Sequence, residues 1–232
     1  GSSRGTARFA GGEEALVDRL PREASEGAAL RLEVLRSAIP EPKRRKLAQA
    51  RPTTAPLLPA PTLAQSLRLE GHAVRVVRAF PDCGWNELWD DAWSGTCGFA
   101  GGTFHFAPTP AMTVVDIDGT LPPRDLARQA VQPLAAALRR FDVGGNIGID
   151  FPTLEAREDR RAIDMALAEA LDDWPHERTA INGFGFVQLV ARLVRPSLLQ
   201  LVQFDPAGAS ARRLLRQAER VEQPGTLLLS CH

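Results

Sequence analysis

The sequence predicts an α/β (α+β) fold, with a strand pattern near the N-terminus and mixed α/β patterns beyond it. Residues 28–36 alternate apolar and polar side chains, as a half-buried strand does. Residues 112–118 and 147–151 are apolar runs of the length of a buried strand. Between and after them, 125–140 and 155–171 repeat apolar residues at helical spacing. Strands that alternate with helices favour a sheet covered by helices.

A proline-rich stretch separates the predicted domains. Residues 51–62 contain four prolines, each of which fixes φ and removes a backbone donor, so this stretch is predicted to be a linker. The resulting division is a β domain at 5–51, a linker at 52–62, a mixed α/β domain at 63–205 and a C-terminal segment at 206–232.

Further elements follow from the same patterns. We expect strands over 72–80, 103–107 and 226–230, and helices over 86–93, 182–194 and 208–222. Because proline cannot donate a helical hydrogen bond, Pro133 should kink the 125–140 helix or mark its start. Trp85, Trp89 and Trp93 recur every fourth residue, which predicts a helix face that packs in the core or against another subunit.

Composition excludes several classes of protein. The chain is 44% hydrophobic and 24% charged, as globular domains are, and its formal net charge of zero argues against a protein that coats nucleic acid. No apolar run reaches the roughly 20 residues of a membrane-spanning helix, so no membrane partner is expected. Cys83, Cys97 and Cys231 form no CxxC pair, which predicts a reduced, cytoplasmic protein without zinc.

Three aspartates stand at the carboxyl ends of two predicted strands. Asp116 and Asp118 end the run VVDID, and Asp150 ends the run IGID. Ligands collect at the carboxyl edge of an α/β sheet, whereas aspartate is unfavourable within a strand unless something offsets its charge. A hard divalent cation, Mg²⁺ or Mn²⁺, would do so. We therefore expect Asp116 and Asp150 to share a metal ion if their strands are neighbours.

Two other interpretations of these aspartates remain open. Strand-end aspartates also cap helices or hold turns, and Asp118-Gly119 is a common turn pair. The sequence DIDGT also resembles the motif of HAD-type phosphatases, in which the first aspartate is the nucleophile. That motif belongs to the first strand of a Rossmann-like domain with a downstream lysine, whereas here it lies mid-chain and no lysine follows Lys46.

The acidic strands belong to a longer ordered set of motifs. The set comprises Gly101-Gly102, AMTVVDID at 111–118, DVGG at 142–145 and IGIDF at 147–151, then Arg161-Ala162, Arg178-Thr179, FGFV at 184–187 and PSL at 196–198. In this order the motifs resemble the catalytic subdomain of the RNase E/G endoribonucleases. The resemblance covers about residues 85–200 and implies a mixed-sheet catalytic domain.

This resemblance implies a role for each aspartate. Asp116 and Asp150 fall on the two aspartates that hold the catalytic Mg²⁺ in the family, with Mn²⁺ as an alternative ion. Asp118 falls where the family has an asparagine that supports the site, so all three are expected catalytic residues. The implied reaction is hydrolysis of single-stranded RNA to 5′-phosphate and 3′-hydroxyl ends, and the implied assembly is a homodimer.

RNA contacts are implied outside the acidic strands as well. Residues 5–51 resemble the later part of an S1 domain, an OB-type RNA-binding barrel, and 206–232 a remnant of the family's small C-terminal domain. Phe9 is a candidate for base stacking, although core packing explains it equally well. Candidates for phosphate contacts, each with a solvated or salt-bridged alternative, are Lys43, Arg44, Arg45, Lys46, Arg161 and Arg178.

Several family motifs are missing or altered in this sequence. The segment between the S1-like and catalytic regions is too short for the family's 5′-monophosphate sensor, and the zinc-linking CPxC motif is absent. Thr153 replaces the second acid of the family's IDF-x-D sequence. These departures support an alternative function, that of a catalytically impaired RNA-binding homologue.

Overall fold

The N-terminal region of the protein is a small β structure. The computed structural model describes residues 3–80 and 84–230. The strands of this region are β1 (Arg4–Arg8), β2 (Glu14–Asp18), β3 (Leu32–Arg36), β4 (Ile39–Glu41), β5 (Arg44–Lys46) and β6 (Ala48–Pro52). One sheet has the order β1-β2-β6-β3, and β4 and β5 form a separate hairpin. The hydrophobic core of the four-stranded sheet is small, with Ala15, Val17 and Ala50 at its centre.

The segment that follows contains little regular structure. Residues 53–62 form neither helix nor strand. Helix α1 (Leu63–Leu69) was not anticipated, and it begins with a capping box formed by Thr62 and Gln65. The strand predicted over 72–80 is wrong, because these residues have no partner strand and Val76 is exposed. An unpaired strand leaves its backbone groups without partners and is not stable by itself.

A six-stranded sheet forms the centre of the larger domain. Its strands are β7 (Thr96–Phe99), β8 (Gly102–Pro108), β9 (Thr113–Gly119), β10 (Gly145–Asp150), β11 (His176–Arg178) and β12 (Phe186–Ala191). They lie in the order β11-β12-β10-β9-β8-β7. Strands β9 and β10 are parallel, and every other neighbouring pair is antiparallel. This mixed sheet confirms the broad α+β class.

Helices cover one face of this sheet. They are α2 (Trp85–Ser94), α3 (Pro123–Arg140), α4 (Arg157–Ala170), α5 (Leu198–Gln203) and α6 (Pro206–Ala218). One hydrophobic core joins them to the inward side chains of the sheet, such as Val115 and Ile149. Side chains on the other face, including His105, Asp116 and Gln188, are exposed. In the described residues no helix is long and apolar enough to cross a bilayer.

Helix α3 supplies the largest apolar surface to the core. Leu126, Leu134 and Leu138 are buried at the spacing expected of one helix face. The helix begins with Pro123 in its first turn, where a missing N–H has no consequence. Pro133 lies inside the helix and does not mark its start. The tight packing of the surrounding side chains therefore outweighs the loss of one helical hydrogen bond.

Two predicted elements near the C-terminus are wrong. Residues 186–191 form strand β12 and not part of a helix, because Val187, Leu189 and Ala191 are buried with a period of two. A turn precedes the strand, and the side-chain oxygen of Asn182 accepts hydrogen bonds from the Phe184 and Phe186 backbone. Residues 226–230 form no strand and are exposed. The helices and strands expected near 86–93, 103–107, 112–118, 125–140, 147–151, 155–171 and 208–222 are confirmed.

Gly185 is required in the turn that leads into β12. Its φ is +90°, and a β-carbon there would overlap the Phe151 carbonyl oxygen. We expect Gly185→Ala to lower the free energy of unfolding by about 2 kcal/mol or more. Gly183→Ala is the matched control, because nothing lies within 4 Å of its added carbon; its effect should stay within about 0.5 kcal/mol. Urea denaturation followed by tryptophan fluorescence measures both, and equal losses would contradict the argument.

Candidate functional site

The two parallel strands place Asp116 beside Asp150. Strands β9 and β10 pair in register, with Asp116 opposite Asp150 and Val114 opposite Gly148. Side chains opposite each other in neighbouring strands point to the same face of a sheet. The buried neighbours Val115 and Ile149 point towards the helices. Both carboxylates therefore lie on the open face, as the sequence predicted for neighbouring strands.

The carboxylates line an open cleft of about 380 Å³ at the carboxyl ends of β9 and β10. Asp118 belongs to the same cleft, because it follows Asp116 by two residues and shares its face. The end of β9, the start of α3 and the loops after the two strands complete the walls, which comprise Ile117, Gly119, Leu121, Pro123, Leu126, Phe151, Pro152 and Thr153. All three predicted catalytic aspartates are thus brought together in one cleft.

Helix capping does not explain these aspartates. Helix α3 is preceded by Pro122 and helix α4 by Ala156, and neither N-terminus has a side-chain cap. Within the part of the chain that the structure describes, no hydrogen bond or ion pair holds the carboxylate of Asp116 or Asp150. Asp118 approaches only His105, whose Nε2 lies 3.6 Å from its Oδ2 atom. The turn and capping interpretation is therefore unsupported for the two central acids.

The pair of carboxylates is electrostatically unfavourable without a cation. Partial desolvation in the cleft, followed by the negative charge of Asp116, raises the pKa of Asp150 above its ordinary value. The carboxyl group of Asp150 therefore binds its proton more tightly in the folded protein than in the unfolded chain. The tighter binding of this proton by Asp150 stabilises the folded state below the ordinary aspartate pKa. This stabilisation is lost as pH rises through the raised pKa of Asp150. A divalent cation bound by both acids would remove the repulsion.

His105 was not identified from the sequence. It lies on β8 directly opposite Asp116, so Phe186, Asp150, Asp116 and His105 form one row across four strands of the open face. The alternating sequence TFHFA, with its apolar residues turned inward, carried the signal for this placement. The register between β8 and β9 was needed to set the histidine beside the acids.

The donor set of the cleft fits a hard cation. Mg²⁺ takes one or two carboxylates from a protein and fills its remaining positions with water or phosphate oxygens. Asp116 and Asp150 meet that requirement. Across residues 3–80 and 84–230, no group of three or more His, Cys, Asp or Glu side chains is placed to hold a metal ion. Of the cysteines, Cys97 is buried beside Arg140, whereas Cys83 and Cys231 lie outside the described residues.

The predicted RNA contacts of the N-terminal region lie apart from the acidic cleft. Phe9 is partly buried and packs against Ala15, Val17 and Ala50, which favours the core-packing interpretation. Lys43 lies in the turn of the β4–β5 hairpin, and the exposed strand β5 contains Arg44, Arg45 and Lys46.

The residues of this hairpin differ in their surroundings. Arg44 forms an ion pair with the buried carboxylate of Glu41. Lys46 lines a second cleft together with Met112 and Asn146, which lie at the amino-terminal ends of β9 and β10. Lys46 therefore lies near the amino-terminal ends of these strands, whereas the acids lie near their carboxyl ends.

Of the two predicted arginines of the larger domain, one lines a separate cleft and the other is held in an ion pair. Arg161 lines a cleft of about 370 Å³ with Arg157 and Arg160, and this cleft shares no lining residue with the acidic one. Arg178 is held by the carboxylate of Asp164, which supports the salt-bridge interpretation for this residue. On helix α2, Trp89 packs against the core and stacks on Trp93, which remains half exposed.

The sheet topology argues against the phosphatase interpretation. The DIDGT motif forms the end of β9, which is antiparallel to β8 and parallel only to β10. A Rossmann-like domain instead surrounds its first strand with parallel neighbours. No protein-family model matches this sequence. The resemblance to RNase E/G enzymes therefore rests on the ordered motifs, and the paired aspartates are a separate structural observation.

The repulsion between the two central acids can be measured directly. We expect Asp116→Asn to lower the pKa of Asp150, because the like charge is removed while the partial desolvation stays. Asp118→Asn is the control and should leave this pKa unchanged, since Asp116 is the charge that raises it. Carbon-13 NMR titration of the aspartate carboxyl groups gives both values. An unchanged pKa in Asp116→Asn would mean that the two carboxylates are not neighbours.

Proposed function

We propose that this protein is a metal-dependent endoribonuclease of the RNase E/G type. It would hydrolyse phosphodiester bonds in single-stranded RNA and leave 5′-phosphate and 3′-hydroxyl ends. The observation that carries the proposal is the in-register pairing of Asp116 and Asp150 on an open sheet face. Among the described residues neither carboxylate has a hydrogen-bond or ion-pair partner, and by the resemblance both fall on the aspartates of the family's metal site.

The three aspartates of the cleft would have different roles in this reaction. Asp116 and Asp150 would hold Mg²⁺ or Mn²⁺, and their mutual repulsion favours a dication over a monovalent ion. When bound, the ion supplies an activated water and stabilises charge that develops on the phosphate. Asp118 would orient the site from its position beside His105. Among the described residues no layer covers the open face of the sheet, which leaves room for an extended RNA strand.

One feature of the cleft supports the alternative function. Thr153 lines the cleft where the resembled enzymes have a second acid, and its hydroxyl lies 3.5 Å from the Phe184 carbonyl oxygen. A threonine adds no negative charge to the site, so the affinity for a cation would be lower than with a further carboxylate in this place. A catalytically impaired homologue that binds RNA is therefore the second candidate.

Cleavage of a labelled single-stranded RNA in Mg²⁺ tests the proposal. We expect Asp116→Asn and Asp150→Asn each to reduce the rate roughly 100-fold or more, because the metal contributes several kcal/mol to the transition state. Asp172→Asn is the matched control, since this exposed aspartate lies outside the cleft. Its rate should equal that of the wild type. The wild-type products should carry 5′-phosphates that a 5′-phosphate-dependent exonuclease recognises.

The same assay separates the two candidates. RNA binding without cleavage, equal in the wild type and in Asp150→Asn, would support the impaired homologue. Cleavage that persists in Asp150→Asn would refute the metal site, whatever the identity of the product ends. Failure of the wild-type protein both to bind and to cleave RNA would overturn both candidates.

A further inference from the structure

An apolar patch lies next to the acidic cleft on the open face of the sheet. Phe186 pairs with Asp150 across β12 and β10, so both side chains point to that face. Its ring is partly exposed and leans over Gly148, where a β-carbon would come within 2.6 Å of the ring carbon Cζ. The Met112 sulfur would be 3.3 Å from the same β-carbon. Phe186 and Met112 therefore meet above Gly148.

Glycine at residue 148 allows the ring to lie against the sheet. The backbone of this residue is in the ordinary strand region, so glycine is not needed for a special φ. It is needed for space, because any side chain would collide with the Phe186 ring. The arrangement brings an aromatic surface close to the backbone of β10, two residues before Asp150.

Polar groups surround the patch. Gln188 lies opposite Gly148 on β12, and its exposed side-chain amide has no partner among the described residues. Asn146 lies at the far edge, and Lys46 lines the neighbouring cleft together with Asn146 and Met112. From Asn146 to Asp150 the strand rises about 13 Å. The patch thus has the Lys46 side chain near one end and the carboxylates of Asp116 and Asp150 at the other.

We propose that Phe186 is a stacking platform for one nucleobase of the bound RNA, beside the phosphate that is cleaved. This inference rests on the proposed function, since it takes single-stranded RNA as the ligand. A base has an apolar face for the ring and the thioether, and a polar edge for the Gln188 amide. Lys46 would attract a phosphate further along the strand, while a metal on Asp116 and Asp150 would hold the scissile one.

Binding of a short fluorescein-labelled RNA tests this platform. Affinity is measured by fluorescence anisotropy in EDTA, so that no cleavage occurs, with each base of the RNA replaced in turn by an abasic site. For the wild type we expect one position at which base removal weakens binding roughly ten-fold. In Phe186→Leu the intact RNA should bind roughly ten-fold more weakly, and base removal at that position should have no further effect.

Two further variants, Trp93→Leu and Gly148→Ala, serve as a control and as a second test of the platform. Trp93→Leu is the matched control, because it removes a half-exposed aromatic ring from helix α2, outside the acidic cleft and the Lys46 cleft. Its affinity and its positional profile should equal those of the wild type. Gly148→Ala keeps the Phe186 ring but displaces it, so it should reproduce the loss at the same position. This variant carries the test if circular dichroism finds Phe186→Leu unfolded.

The outcomes distinguish this inference from the nuclease proposal. Wild-type affinity in Phe186→Leu, or an equal loss at every position of the RNA, would overturn the platform. Cleavage in Mg²⁺ without a position-specific loss would leave the nuclease standing and remove the platform. Position-specific stacking in a protein that does not cleave RNA would support the platform and refute the enzyme.

Discussion

The parallel pairing of β9 and β10 is the constraint on which the candidate site depends. Parallel neighbours cannot be joined by a tight turn, so α3 must cross over the sheet between them. The buried leucines of α3 hold that crossover against the strands. Because the pairing is in register, the last residue of β10 lies directly beside Asp116. Packing of α3 in the core therefore determines where two surface carboxylates meet.

The one-sided covering of the sheet gives the two faces different tasks. Residues turned towards the helices are apolar and build the core, while residues turned away carry acids, a histidine and amides. On the exposed face, water weakens the repulsion between Asp116 and Asp150, so the fold tolerates the pair. Partial desolvation in the cleft and, after it, the charge of Asp116 raise the pKa of Asp150. A charge pair of this kind is placed where a ligand can reach it.

Four of the candidate RNA contacts can be sorted by their surroundings in the structure. Phe9 and Arg178 are engaged within the fold, one in a small core and the other with Asp164. Lys46 instead lines the cleft at the amino-terminal ends of β9 and β10, and Phe186 lies on the open face beside the acids. Residue type alone does not separate these groups, because an aromatic ring or an arginine serves packing as readily as binding.

The sequence by itself determined which acids stand at the strand ends and most of the local structure. The runs VVDID and IGID are short and apolar, and the helices before and after them have clear spacing, so strands ending in aspartate followed directly. Only the tertiary structure decided that these strands are adjacent, that Asp116 lies opposite Asp150, and that residues 186–191 form a strand. Strand pairing joins residues far apart in the chain, and a shift of one residue would turn every side chain to the other face. For that reason no local pattern could place His105 beside the acids or Phe186 above Gly148.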